Sequence, residues 1–513
     1  MKIQDKIYDF VIIGSGLGGL ECAFILSQEG YSVIVLEKNH QIGGTLQVFS
    51  RDKIIFETGV HYLGSLDEGE ILNQFFKYFD ILDKIKLKRM NDDGYDVIRF
   101  SDGKEYRHAQ GYDNFINTLL IDFPDEKEGL TTYCDKIKEI CELFPLYNLR
   151  NDADDGHSEL IQNGILEINA FEFISSITQN QRLQNVLAGS NALYGGVKGK
   201  TPLFVHALII NSYLTGSYKI VDGGAQLAIQ LSKSVRKLGG EIYKRKNVVS
   251  ARYNEDKTIK EVVLDNGEAI KGKTFISNVH PAATLDIFGK ERFLKAYTKR
   301  IYNLENTVST FIVHIAFKEN SFKYMNHNIY QHNLEDVWDA VKMEDENKWP
   351  QGYFINTPPS SKSEIYAEGM SVMAYMDFKE VEKWAESYNT VTIPGERGES
   401  YEEFKRRKEG VMIEELAKIF PDFKSKIKSV YSSTPLTFRD YIGNKDGSLY
   451  GILKDNNNAV KTMINPKTKV KNLFLTGQNI VLHGILGVTI GAFVTCSAFI
   501  DKSTLIKKVE DAQ

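Results

Sequence analysis

The sequence predicts an α/β fold in which a discontinuous first domain is interrupted by a mixed-sheet and helical second domain. Three observations predict it. The first sixty residues read as strand, helix, strand, with a glycine run at the first turn. The middle of the chain switches between helical and strand periodicity. The last sixty residues return to strand, turn and helix, so the chain leaves its first domain and comes back.

Residues 9–13 (DFVII) are a short apolar run of strand length. Residues 17–29 place Leu20, Ala23, Phe24 and Leu26 at helical spacing, and residues 32–36 (SVIVL) make a second strand. Between the first strand and the helix lies Gly14-Ser15-Gly16-Leu17-Gly18-Gly19, which fits G-x-G-x-x-G. Gly14 permits the tight turn, Gly16 lets the backbone approach a pyrophosphate, and Gly19 allows close helix–strand packing. Leu17 and Gly18 open the helix, whose first N–H groups and partial positive charge suit phosphates. Glu37 ends the second strand, where a carboxylate accepts hydrogen bonds from ribose hydroxyls and disfavours a 2′-phosphate. The same letters outside a strand–helix setting would mark an ordinary glycine turn. In register with Glu37 they predict a Rossmann-type dinucleotide site.

Further along, residues 66–203 are richer in charge and helical periodicity, with a polar loop at 151–159 (NDADDGHSE). A helix is expected over 226–238, with strands at 241–243, 261–264 and 274–277. Strands near 308–317 and 371–377 and a helix over 402–419 follow. The expected division is 1–65, 204–290 and 430–513 for the nucleotide domain, with 66–203 and 291–429 for the substrate domain.

Composition narrows the function. The chain has 513 residues, 42% hydrophobic and 26% charged, as ordinary globular proteins do. A net charge of -5 argues against nucleic acid as a partner. Cys22, Cys134, Cys141 and Cys496 form no metal-binding spacing, so no metal is expected and a reduced, cytoplasmic chain is. Residues 1–6 run straight into a strand with no separate apolar leader. Residues 472–500 carry no charge, but Gly484, Gly487 and Gly491 interrupt them. The helix expected at 487–500 is too short to span a bilayer.

Other segments carry a family resemblance. Residues 37–45 (EKNHQIGGT) resemble the Glu…Gly-Gly element of flavoproteins related to glutathione reductase. Residues 472–478 (NLFLTGQ), continuing through Gly484–Gly487 (GILG), resemble their second FAD-binding segment. Residues 56–64 (FETGVHYLG), 202–218 (PLFVHALIINSYLTGSY), Ser277-Asn278 with Pro281, and 434–451 (TPLTFRDYIGNKDGSLYG) resemble the phytoene desaturase and carotenoid isomerase superfamily, most closely its retinol saturase branch. The resemblance implies a glutathione reductase/amine oxidase-like fold with FAD as cofactor. It implies contacts from Gly14, Gly16, Leu17, Gly18, Gly19, Glu37, Lys38, Gly43, Gly44, Thr45, Val60, His61, Val248, Gly477, Gln478, Gly487 and Val488. The implied substrate is an apolar polyene or isoprenoid-like molecule, with saturation, desaturation or isomerisation as the reaction. Such a substrate suggests peripheral contact with a membrane. Glu57 departs from the aspartate usual at its position. No second glycine fingerprint follows, so the electron donor or acceptor is left open.

Saturation needs a proton as well as the hydride a flavin can transfer. His61 and Tyr62, in the loop implied to line the flavin, and Tyr194 are the expected catalytic residues. His61 could instead brace its loop through a backbone carbonyl, and Tyr194 and His206 could be core residues. Arg439 could meet a polar end of substrate or flavin, or sit in an ion pair. Two other readings compete: an FAD amine oxidase-like enzyme, and a flavin-free prenyl-binding escort-type protein. The intact glycine fingerprint counts against the second.

Overall fold

The computed structural model describes residues 6–150, 163–342 and 346–512. The loop expected at 151–159 and residues 1–5 lie outside the described residues.

The chain opens with β1 (Ile7–Ile13), α1 (Leu17–Gln28) and β2 (Val33–Glu37). β1 pairs in parallel with β2 on one side and with Ala269–Ser277 on the other. Glu241–Lys244 extends the sheet beyond β2, also in parallel. The hairpin partners Val248–Tyr253 and Ile259–Leu264 run antiparallel from the start of Ala269–Ser277. The end of that same strand pairs in parallel with Leu473–Leu475, from the far end of the chain. Both faces are covered, so β2 is buried throughout and reads as a continuous apolar run. α1 packs between the helices Ala225–Lys237 and Gly484–Cys496.

A second sheet stands across from it. Two of its central strands are β3 (Asp96–Phe100) and β4 (Asn328–His332), paired in parallel. Beyond β4 follow Gly352–Asn356, Gly369–Met376 and Ser309–Phe317, all antiparallel. Every residue of Ser309–Phe317 is buried. The strands expected near 308–317 and 371–377 are therefore present, with a helix at Glu399–Ile419 outside them.

Two expected boundaries move. Ile427–Ser433 pairs with Ser309–Phe317, so the second sheet reaches past residue 429. Helix Leu203–Leu214 packs on Lys127–Glu142 and belongs to the helical layer of the second unit. The first sits inside an edge strand of mixed polarity, the second inside an apolar helix, and neither pattern marks which neighbour the segment joins. The late helix α2 (Gly484–Cys496) begins three residues before the expected 487. Gly484 sits at φ 78°, and the chain turns into the helix there. Among the described residues no helix is long and apolar enough to cross a membrane.

Candidate active site

The glycine loop is held by close backbone contacts. A Cβ at Gly19 would lie 2.2 Å from the Gly14 carbonyl oxygen, so only glycine lets α1 start this close to β1. Gly43, at φ 108°, donates its N–H to the Ser15 carbonyl at 2.9 Å and bridges to Gly16. Gly44 packs on Gly16, and Gly18 on Gly477, each with room for no more than a tight Cβ. Asn278 stands at the centre. Its N–H donates to Ile13 O at 2.9 Å, and its amide Nδ2 donates to Gly14 O at 3.4 Å. A Cβ on Gly477 would meet Asn278 Oδ1 at 2.5 Å. The Ser-Asn pair thus joins the N-terminal loop to the C-terminal one, a role the sequence motif did not disclose.

Glu37 is buried at the end of β2. Its Oε2 accepts from Ser15 N–H at 3.0 Å and Ser15 Oγ at 2.6 Å, and its Oε1 accepts from Asn39 N–H at 2.8 Å. The carboxylate therefore braces the glycine loop as well as standing where a ribose would lie. Lys246 N–H donates to Glu37 O at 2.8 Å, which brings the chain leading to Val248 alongside. Lys38 turns away. Its ammonium donates to Asp440 O at 2.9 Å, and burial lowers its pKa. It pins helix Pro435–Ile442 over the loop.

From this cradle a cavity of about 210 Å³ opens toward the second sheet. Leu17, Thr45, Val60, His61, Gln478, Gly487 and Val488 line one side, so expected cofactor residues from opposite ends of the chain meet here. Tyr62, Tyr213, Tyr330, Phe354, Tyr375 and Tyr450 form much of the rest. No Asp, Glu, Lys or Arg side chain lines it among the described residues. Tyr62 stacks on Tyr213 at 4.3 Å, and Tyr450 on His483 at 4.2 Å. Burial pushes all five phenols above their ordinary range, so the wall offers neutral hydroxyls. Burial also pulls His483 down to about 4, leaving it neutral with Nε2 3.1 Å from Leu193 O.

Two features of this cavity fit a flavin dinucleotide. α1 and α2 both begin here without a side-chain cap, so their first amide groups are free to meet negative charge. His61 is only 8% exposed, and neither ring nitrogen completes a hydrogen bond. Its Nδ1 lies 3.3 Å from Glu57 Oε2, a charge contact of poor angle. A buried polar ring left unsatisfied at a cavity wall points to a ligand.

The expected catalytic residues separate. Tyr62 is on the wall, its hydroxyl donating to Asp96 Oδ2 at 2.8 Å. Tyr194 is not. The turn Asn191–Leu193 gives its residues to the cavity and sends Tyr194 into the helical layer. There its hydroxyl meets His206 Nδ1 at 2.8 Å, and His206 Nε2 meets Tyr133 Oη at 2.6 Å. Arg439 is likewise elsewhere: Nε donates to Asp440 Oδ1 at 2.8 Å, and its other nitrogens to Ala385 and Ser387 carbonyls.

A model of the family described as flavin containing amine oxidoreductase matches residues 17–392. The chain belongs to that family. This flavin enzyme is 25% identical to a zebrafish (Danio rerio) protein named all-trans-retinol 13,14-reductase, over 96% of this chain and 86% of the relative. It is 24% identical to a chloroplastic prolycopene isomerase of an Oncidium hybrid cultivar, over 88% of this chain and 76% of that one. An oxidoreductase structure from Methanosarcina mazei shares its fold, with a TM-score of 0.60, 15% identity, and coverage of 94% of this chain and 98% of that one. The enzyme is an FAD-dependent oxidoreductase.

Glu37→Ala should weaken FAD binding at least about tenfold, because charge-assisted hydrogen bonds contribute roughly 1.5–3 kcal/mol each. Fluorescence titration of flavin-free protein checks it, and an unchanged dissociation constant would place the ribose elsewhere. His61→Ala should keep the flavin and the fold while slowing turnover. Flavin occupancy, melting temperature and flavin redox rate on one preparation separate this from bracing, which predicts that occupancy and stability fall together.

Proposed function

We propose that this enzyme acts on a carbon–carbon double or single bond of an apolar polyene or isoprenoid-like substrate, by saturation, desaturation or isomerisation. The observation that carries this reading is the uncharged, aromatic wall that faces the expected flavin residues. Flat phenol and phenyl faces suit a conjugated chain. Among the described residues no carboxylate lines the cavity to meet a substrate ammonium, which disfavours an amine. Relatives named for a retinol reduction and a prolycopene isomerisation point to the same substrate class.

When bound, FAD supplies hydride transfer to or from carbon. The chain's residues do the rest. α2 directs its positive end at the cavity, favouring negative charge there. The tyrosine wall excludes water, and its hydroxyls can hold or move a proton. The electron donor or acceptor is a separate molecule. A lipid-soluble substrate is met most readily at a membrane surface, so the expected place of action is cytoplasmic with peripheral membrane contact.

The test joins spectrum and chemistry. Purified protein should show a flavin spectrum that acid precipitation releases in full, since no linkage motif marks a covalent bond. Mixed anaerobically, the photoreduced enzyme should be reoxidised by a retinoid or carotene, or the oxidised enzyme reduced by one. A colourless protein that ignores added FAD overturns the flavin site. Redox exchange with simple amines and none with any polyene overturns the substrate reading. Cell fractionation checks the location: salt or alkaline wash should release the membrane-associated share.

A further inference from the structure

Asp96 is fully buried, yet it touches the cavity through two tyrosines. Its Oδ2 accepts from Tyr62 Oη at 2.8 Å, and Tyr62 Oη lies 2.7 Å from Tyr330 Oη. Tyr62 and Tyr330 line the cavity and Asp96 stands behind them. The arrangement is held by the sheet. β3 and β4 pair with Asn328 opposite Asp96 and Tyr330 opposite Ile98. Asn328 Nδ2 donates to the other carboxyl oxygen at 3.0 Å.

A phenol has one proton to give and lone pairs to accept, so this line of oxygens has a direction. With Asp96 ionised, Tyr62 donates to it and Tyr330 donates to Tyr62. Tyr330 then shows the cavity only lone pairs. With Asp96 protonated, the carboxyl donates to Tyr62 and Tyr62 to Tyr330. The Tyr330 proton is then turned toward the cavity. One proton behind the wall reverses the hydrogen-bond polarity of the wall itself.

We propose that Tyr330 gives the proton to, or takes it from, the substrate carbon, and that Asp96, acting through Tyr62, sets which. This rests on the carbon–carbon chemistry proposed above. In saturation, bound FAD would supply the hydride to one carbon of the double bond. The electron pair of that bond takes the Tyr330 proton at the other carbon. The Tyr62 proton moves to Tyr330 and the Asp96 proton to Tyr62, leaving a carboxylate that regains a proton from solvent. Desaturation is the reverse: bound FAD would take up the hydride, Tyr330 takes the proton, and Asp96 ends protonated. Tyr330 is the catalytic residue; Tyr62 and Asp96 are positioning residues.

The surroundings allow the switch to work near neutrality. Burial lifts Asp96 to about 7, against the opposing pull of Asn328, Tyr62 and the positive charge of Lys219. Tyr95, just before the strand, and Tyr213 on helix Leu203–Leu214 are neutral phenols. His108, opposite Asp96 on Glu105–His108, is pulled down to about 4 and is neutral. Lys219, on Tyr218–Ile220, is pulled down to about 7 by burial while donating to the carbonyls of Met325, His327 and Thr357. Because Lys219 titrates in the same range, the carboxyl has to be read directly.

Infrared difference spectra of flavin-free protein give that reading. A protonated carboxyl should be present below neutral pH, vanish above it, and be missing in Asp96→Asn. Tyr62→Phe should move its titration upward, since the lost hydrogen bond favours the carboxylate. In loaded enzyme, Tyr330→Phe should slow substrate-dependent flavin oxidation by about 10²-fold or more. Asp96→Asn should flatten its fall with rising pH. Melting temperatures confirm that each variant folds, and the two Phe variants lose only one oxygen each. A carboxyl ionised throughout the neutral range, or one indifferent to Tyr62→Phe, overturns the proposal. So does wild-type turnover in Tyr330→Phe. If no polyene reacts, the substrate reading fails on its own, and the carboxyl titration still decides the coupling.

Discussion

Everything at this site depends on one steric constraint: three backbone segments cross within van der Waals contact around Asn278. The glycine loop after β1 and the Gly43-Gly44 turn come from the start of the chain, and the Gly477 turn from more than four hundred residues later. Side chains at Gly18 or Gly44 would crowd backbone at 3.1–3.2 Å, and one at Gly19 would overlap it. Because the crossing is tight, α1 and α2 start beside each other and aim their uncapped ends at the same cavity. The cavity inherits its electrostatics from backbone, and the side chains around it are free to be apolar.

That division explains how charge is distributed. The charged groups lie one layer back. Glu57 stands behind His61, Asp96 behind Tyr62, and Lys219 feels both carboxyls while its ammonium bonds three carbonyl oxygens. Isolated charges this deep would be costly, and each is hydrogen-bonded or placed near an opposite charge. A conjugated hydrocarbon would meet hydroxyls and rings in the wall, while the groups able to titrate remain in contact through hydrogen bonds.

The nucleotide half was legible in the sequence because its signals are local. A strand, a glycine run, a helix and Glu37 lie within thirty residues, and each has a steric or electrostatic reason to be where it is. The Gln478–Val488 side was legible through resemblance and reaches the same cavity. The opposite wall was not legible. Tyr330 and Phe354 face each other only because Asn328–His332 pairs with Gly352–Asn356 in one register, and register is fixed by tertiary packing. Tyr194 shows the converse. Its neighbours Asn191–Leu193 reach the cavity, but a single turn sends its ring to His206. Asp96 begins a strand of otherwise buried character, and an acid there is the one sequence signal that could have drawn attention.

The flavin side and the tyrosine side are coupled by geometry. His61 and Tyr62 are adjacent in sequence, yet they serve opposite layers. His61 has free ring nitrogens at the cavity and Glu57 behind it, while Tyr62 is already committed to Asp96 and Tyr330. A molecule hydrogen-bonding His61 gains a partner without disturbing any completed hydrogen bond. A molecule recruiting the proton of Tyr330 must act through a line of hydrogen bonds that is already complete, and that suits a reacting group whose demand lasts only for the chemical step. The two residues therefore meet the cavity differently, His61 with unfilled hydrogen-bonding capacity and Tyr62 through a completed line of hydroxyls. The difference follows from one peptide bond placing neighbouring side chains against different partners.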